Sequence, residues 1–216
     1  MRIQNLLVPV DFSEASEKAV VYAISLAKKL DSKIVFLHGY QIVFAAYERP
    51  SMGPTINTNM GTGLSERELS REKLMEFLDA FPQLGEIEHE DVVGLGSAVD
   101  VIRQTAENEN TDLIVMGTTG ADGAEGFFIG TNSEKVSRKA PCPVLVVPNN
   151  LKSNEIDINT VYLALDTNNL ENTVDLKVLV ALLTAFGAKL RIIHISENGE
   201  TTFEKEELLT HYKGSL

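Results

Sequence analysis

The sequence predicts an α/β fold: a doubly wound, five-stranded parallel sheet in residues 1–148, followed by a partial second repeat. Three observations predict it. Short, nearly continuous apolar runs such as "NLLVPV" (5–10) and "DLIVMG" (112–117) read as strands covered on both faces. Helical stretches alternate with these runs and no hairpin turn joins them, so the strands run parallel with crossover connections. Landmarks also recur: Asp11 is answered by Asp166, and His38 by His194, at offsets of 155 and 156 residues.

The elements follow in order. The first strand ends at Asp11, where Ser13 and Ser16 are both candidate N-caps for the helix in "SEASEKAVVYAISLAKKL". Ala19, Val20, Ala23, Leu26, Ala27 and Leu30 fall at helical spacing and form its apolar stripe. "KIVFLHGY" (33–40) is the second strand. Residues 44–64 carry turn formers and no clean period, and read as a mobile surface loop. Ser65 and Glu68 make a capping box that opens the helix "SERELSREKLMEFLDAF". "IEHEDVVG" is strand three, "SAVDVIRQTAENEN" a helix and "DLIVMG" strand four. A glycine-rich loop and the helix "SEKVSRKA" then lead to strand five, "PVLVVP" (143–148). Pro143 and Pro148 mark that strand as an edge or interface strand. Residues 149–158 are a polar linker. Residues 159–216 restate strand, Asp, helix, strand and add a short acidic helix candidate, "TFEKEELLTHY". Two strands and a helix cannot hold an independent core, so this part is expected to dock on the first domain or on another chain.

Composition narrows the function. The chain has 216 residues, enough to bury at least one ordinary core, and a formal net charge of −12. That charge argues against nucleic-acid or anionic-membrane partners, which need a basic surface. The single cysteine, Cys142 between Pro141 and Pro143, excludes an intrachain disulfide and cysteine metal clusters, and reads as structural. Asp11 arrives too early for a signal-peptide core, and no uncharged apolar run approaches the roughly 18 residues of a membrane helix. A cytoplasmic location is expected.

The informative segment is "MGTTGADGAEGFFIGTNS" (116–133), at the carboxyl end of strand four and leading into a helix N-terminus. A glycine loop there is either a plain turn or a backbone cradle for an anion. No lysine follows Gly130, so the P-loop pattern fails, and "GLGSAV" (94–99) has Val99 where a dinucleotide fingerprint needs its third glycine. A receiver-like phosphorylation site at Asp11 lacks the acidic partner after strand three. His38 and His194 read as satisfied core or strand-end histidines. No nucleophilic triad and no closely spaced zinc ligand set is visible.

What remains is G-x₂-G-x₉-G-[ST], with Gly117, Gly120, Gly130 and Thr131. Here the sequence resembles the universal stress protein family, specifically its ATP-binding branch. The residues carrying the resemblance run through 1–148: "VPVDFSE", "FLH", "VVGLGSAVDVI", the glycine loop and "PCPVLVVP". The duplicated landmarks make the chain similar to tandem-type members, with its second unit incomplete.

The resemblance implies a Rossmann-like, adenine-nucleotide-binding domain. Asp11, with Pro9 and Val10, would hold the adenosine end of ATP. Gly39 would line the base through its backbone; members commonly carry a β-branched residue there, so one pocket wall is thinner. Met116 and Gly117 would pass under the ribose and α-phosphate, with Gly120 in the loop. Gly130, Thr131, Asn132 and Ser133 would receive the terminal phosphates. Residues 117–133 contain no Lys or Arg, so the phosphates depend on amides, hydroxyls and Mg²⁺. The expected role is a nucleotide-dependent stress-response regulator or binding switch, without a dedicated catalytic residue. It is expected to form a homodimer or higher oligomer through strand 143–148 and the partial repeat. Two alternatives stand beside it: a slow ATPase or hydrolase on the same fold, and a scaffold that no longer binds nucleotide.

Overall fold

The computed structural model describes residues 2–41, 46–49, 53–56, 63–118, 131–149, 156–165 and 176–194. β1 (Asn5–Pro9), α1 (Glu14–Leu30) and β2 (Lys33–Tyr40) come first. A short pair, β3 (Ala46–Arg49) and β4 (Gly53–Ile56), precedes α2 (Gly63–Leu78). β5 (His89–Leu95), α3 (Ala98–Asn108), β6 (Leu113–Gly117), α4 (Thr131–Lys139) and β7 (Val144–Val147) follow.

Five of these strands build one parallel sheet in the order β5-β2-β1-β6-β7. The protein is therefore an α/β fold of Rossmann-like topology, as its apolar runs predict. β1 lies at the centre, paired to β2 from Asn5↔Lys33 to Pro9↔Leu37 and to β6 at Leu6↔Leu113 and Leu7↔Ile114. β7, bracketed by Pro143 and Pro148, is an edge strand, where the missing proline N–H groups cost no ladder bond. The start of β1 is fixed by Asp112, whose Oδ2 accepts from the Gln4 and Asn5 amides at 2.7 and 3.0 Å.

Both faces are covered, which is why the strands read as unbroken apolar runs. α1 and α2 pack on one face; α3 and α4 lie on the other, against β2 and β7. Leu6, Leu7, Val8, Ile34 and Phe36 are fully buried, each worth about 1.5–3 kcal/mol relative to exposure. Leu7, Val35, Leu37, Val101, Ile102, Ile114 and Met116 form a core cluster beneath the carboxyl ends of the strands.

Local signals decide the helix ends. Ser13 caps α1 by accepting from the Ser16 amide at 3.3 Å, so of the two candidate caps Ser13 acts and Ser16 lies inside the helix. Ser97 caps α3 in the same way. The capping box at Ser65 is corrected: α2 begins two residues earlier, at Gly63, which puts Ser65 within the helix. A helix can extend past a favourable cap whenever the preceding residues tolerate helical angles.

Residues 44–64 are corrected in part. They include the antiparallel pair β3–β4, with Tyr47 opposite Thr55 and Glu48 opposite Pro54. Gly53 and Pro54 disguise the second strand, since both residues are depleted in strands and Pro54 brings no N–H to the ladder.

The chain divides into two units, Gln4–Glu155 and a second comprising residues 1–3 and 156–216. In the second, β8 (Thr160–Leu165) and β9 (Lys189–His194) pair in parallel from Thr160↔Lys189 to Leu165↔His194, joined through α5 (Leu176–Phe186). Asp166, the side chain of His194 and the acidic helix candidate lie outside the described residues.

Candidate functional site

In the main sheet the chain enters at the centre, steps outward to β2 and β5, then crosses back to β6 and β7. The order therefore reverses between β1 and β6, and open α/β sheets bind ligands in the crevice at the carboxyl ends of such strands. A cleft of about 120 Å³ lies there. That is below the roughly 300–1,000 Å³ of sites that enclose a drug-sized ligand.

The cleft gathers residues from six elements, and the sequence-predicted ones come from four of them. Pro9, Val10 and Asp11 come from the end of β1, Gly39 from β2, and Met116 and Gly117 from β6. Asn132 and Ser133 come from the first turn of α4. These are eight of the eleven residues singled out from the sequence. Gly120, Gly130 and the side chain of Thr131 fall outside the described residues. Among the described residues the cleft has no lysine or arginine in its lining, and Asp11 is the one acid there.

Among the described residues, the hydrogen bonds to the Asp11 carboxylate fall on one oxygen. Its Oδ1 accepts from the Ser13 amide at 3.1 Å, the Ser13 hydroxyl at 2.5 Å and the Ser16 hydroxyl at 2.7 Å. Oδ2 carries none of these bonds and can accept from a ligand N–H or O–H. Partial burial pushes the Asp11 carboxyl up, but the two hydroxyls and the Ser13 amide outweigh it and hold the group below the ordinary aspartate value. It is an anion at neutral pH.

The glycines do different work. A β-carbon on Gly117 would fall 2.2 Å from the Ala15 carbonyl oxygen, so packing of β6 on α1 itself demands glycine there. A β-carbon on Gly39 would meet only ordinary contacts, 3.8 Å to Ala98 Cα and 4.0 Å to Val101 Cβ. The cleft wall at Gly39 is open by choice of residue rather than by steric need. Ser133 is buried, and its hydroxyl donates to the Gly117 carbonyl at 2.9 Å. That proton is committed to the fold, which leaves the amides at the start of α4 and the exposed Asn132 as the groups facing outward.

His38 also borders the cleft. Its Nδ1 lies 2.8 Å from the Val10 carbonyl, an acceptor only, so Nδ1 carries the proton. The strand-end reading of His38 holds. Sequence reasoning treated Ser13 and Ser16 as caps alone and did not place Ala98, Val101 and Ile102 of α3 at the site. The short interval Asp-x-Ser-x-x-Ser was the available signal for the serines. Nothing local announces the α3 residues, because the sheet brings them there.

A family model for the universal stress protein family matches residues 2–148. The chain belongs to that family. A universal stress protein of Methanocaldococcus jannaschii is 30% identical over 147 residues, spanning 67% of this chain and 81% of its own length. Among solved structures, this family member is similar to hypothetical protein MJ0577, at 25% identity and a TM-score of 0.51 over 71% of this chain and all of that one. A universal stress protein from Archaeoglobus fulgidus shares the fold over 99% of this chain and 74% of its own, with a TM-score of 0.64 and 22% identity. In this universal stress protein no described helix is long and apolar enough to cross a membrane.

Proposed function

We propose that the protein binds ATP in the cleft between β1 and β6 and acts as a nucleotide-dependent binding switch in the stress response. The observation that carries this reading is the convergence of Pro9, Val10, Asp11, Gly39, Met116, Gly117, Asn132 and Ser133 on one crevice at the strand-order reversal. Asp11 would take the adenosine end through Oδ2, which bonds no described residue, with Gly39 beside the base. The phosphates would run over Gly117 towards the amides of α4, where the helix dipole favours an anion. Gly120, Gly130 and Thr131 belong to the same reading.

The lack of a cationic side chain among the described lining residues makes a divalent cation part of the proposal. Among the described residues no three His, Cys, Asp or Glu side chains come together to hold a metal ion. Mg²⁺ would therefore arrive with the phosphates and offset their charge on a protein of net charge −12. Among the described residues β7 is an edge strand, which supports self-association through strand 143–148, and the working location is taken to be the cytoplasm.

Calorimetric titration with ATP, with Mg²⁺ and then with EDTA, tests the reading. Binding that weakens at least about tenfold with EDTA and is lost in Asp11→Ala is expected. Absence of any ATP binding by the intact chain with Mg²⁺ would end it.

A further inference from the structure

Phe12, between Asp11 and Ser13, has a φ of 64°, in the left-handed region that bulky residues rarely occupy. Directly after this turn the Ser13 amide and hydroxyl donate back to Asp11 Oδ1. Something must hold a phenylalanine there, and its ring contacts name the holder. The ring stacks on His38 with centroids 4.4 Å apart and a 39° tilt, and meets Phe77 of α2 edge-on at 5.5 Å. Phe77 in turn packs on Phe81 at 5.5 Å. His38 is itself tied to the Val10 carbonyl, and the Val10 amide donates to Leu37 at 2.8 Å. Val10 is thus fixed by backbone and imidazole, Phe12 by two aromatic rings, and Asp11 sits between the two anchored residues.

We infer that Phe12 is a positioning residue: its ring, clamped between His38 and Phe77, sets the left-handed turn that aims the Asp11 carboxylate into the cleft. The inference rests on the ATP-binding reading only for its consequence, since the clamp acts on Asp11 whatever the ligand. It also makes α2 a lever on the site. Aromatic pairs at these separations add to simple burial, so losing the ring releases both contacts at once. Glycine adopts the left-handed angle freely but supplies no ring, which separates the turn from the clamp.

The test uses the full chain with Phe12→Ala, Phe12→Gly and Phe12→Tyr. Two readouts are taken: the ATP dissociation constant with Mg²⁺, and the NMR-detected titration of the Asp11 carboxyl without nucleotide. Phe12→Ala and Phe12→Gly are expected to weaken ATP binding at least about fivefold. The Asp11 midpoint should rise towards the ordinary aspartate value in both, and Phe12→Tyr should restore both readouts. If Phe12→Gly keeps the wild-type midpoint, the turn alone positions Asp11 and the inference fails. Failure of Phe12→Gly to fold would make Phe12 a core residue and overturn it equally. Should the wild type bind no ATP, the proposed function falls, while the titration still decides this point.

Discussion

Gly117 Cα and the Ala15 carbonyl are so close that a side chain on the glycine would overlap backbone on both the oxygen and the carbon, at 2.2 and 2.6 Å. The carboxyl end of β6 is seated directly on the first turn of α1. Gly117→Ala must push strand and helix apart, because the obstructing atoms are main chain and cannot rotate away. A loss of about 1–3 kcal/mol is expected, read from denaturant midpoints. Gly39→Ala is the matched control. It adds a methyl into ordinary contact, and stability should stay level or rise by about 0.4–1 kcal/mol. Equal losses at the two positions would show that the close approach is not what constrains Gly117.

Ser133 also holds Gly117, by a hydrogen bond from its hydroxyl to the Gly117 carbonyl. Ser133→Ala leaves that carbonyl without its partner beside a buried position, at a cost of about 1–3 kcal/mol. Thermal or urea unfolding should register the loss without nucleotide present. A variant as stable as the wild type but much weaker for ATP would assign the hydroxyl to the ligand instead.

The Asp11 network predicts an acid limb in the stability profile. The folded carboxyl titrates below its unfolded value of 3.8. Its contribution is therefore complete above that value and is lost as pH falls through the folded value. Solvent screening at the exposed mouth of the cleft keeps it below about 1 kcal/mol. Urea midpoints compared between pH 6 and pH 2.5 should fall further for the wild type than for Asp11→Asn. Parallel profiles would remove the network from the account of stability.

Cys142 is a half-buried thiol whose burial, together with the Asp112 charge, pushes its pKa up to about 11, against a weaker opposing bond to the Ile114 backbone. Roughly one molecule in a thousand is then thiolate at pH 8, so iodoacetamide should modify the folded chain slowly. The rate should climb between pH 9 and 11 and rise sharply on unfolding. Fast alkylation of the native chain at pH 7 would contradict the structure.

The strands were legible because a sheet covered on both faces writes itself as apolar runs, and β7 because its prolines mark an edge. Asp11, Gly39 and Met116 were named through the family resemblance rather than from any local pattern, and all three line the cleft at the strand ends. The β3–β4 pair was hidden by Gly53 and Pro54, whose residue types argue against the strand they form. The start of α2 was misplaced because Ser65 and Glu68 satisfy a capping pattern that the helix overruns. The clash behind Gly117, the inward use of Ser133 and the ring clamp on Phe12 all join residues distant in sequence. No local pattern encodes them, because they exist only once β1, β2, β6 and the helices are assembled.

The position of β1 between β2 and β6 has a consequence during synthesis. One edge of the strand that carries Asp11 can pair as soon as residues 33–37 leave the ribosome, but the other must wait for residues 113 and 114. For that interval the nascent chain presents an open central edge, the kind of surface on which chaperones act and mispairing begins. The cleft between β1 and β6 cannot form before that edge closes, so a ligand there could stabilise only chains translated past β6.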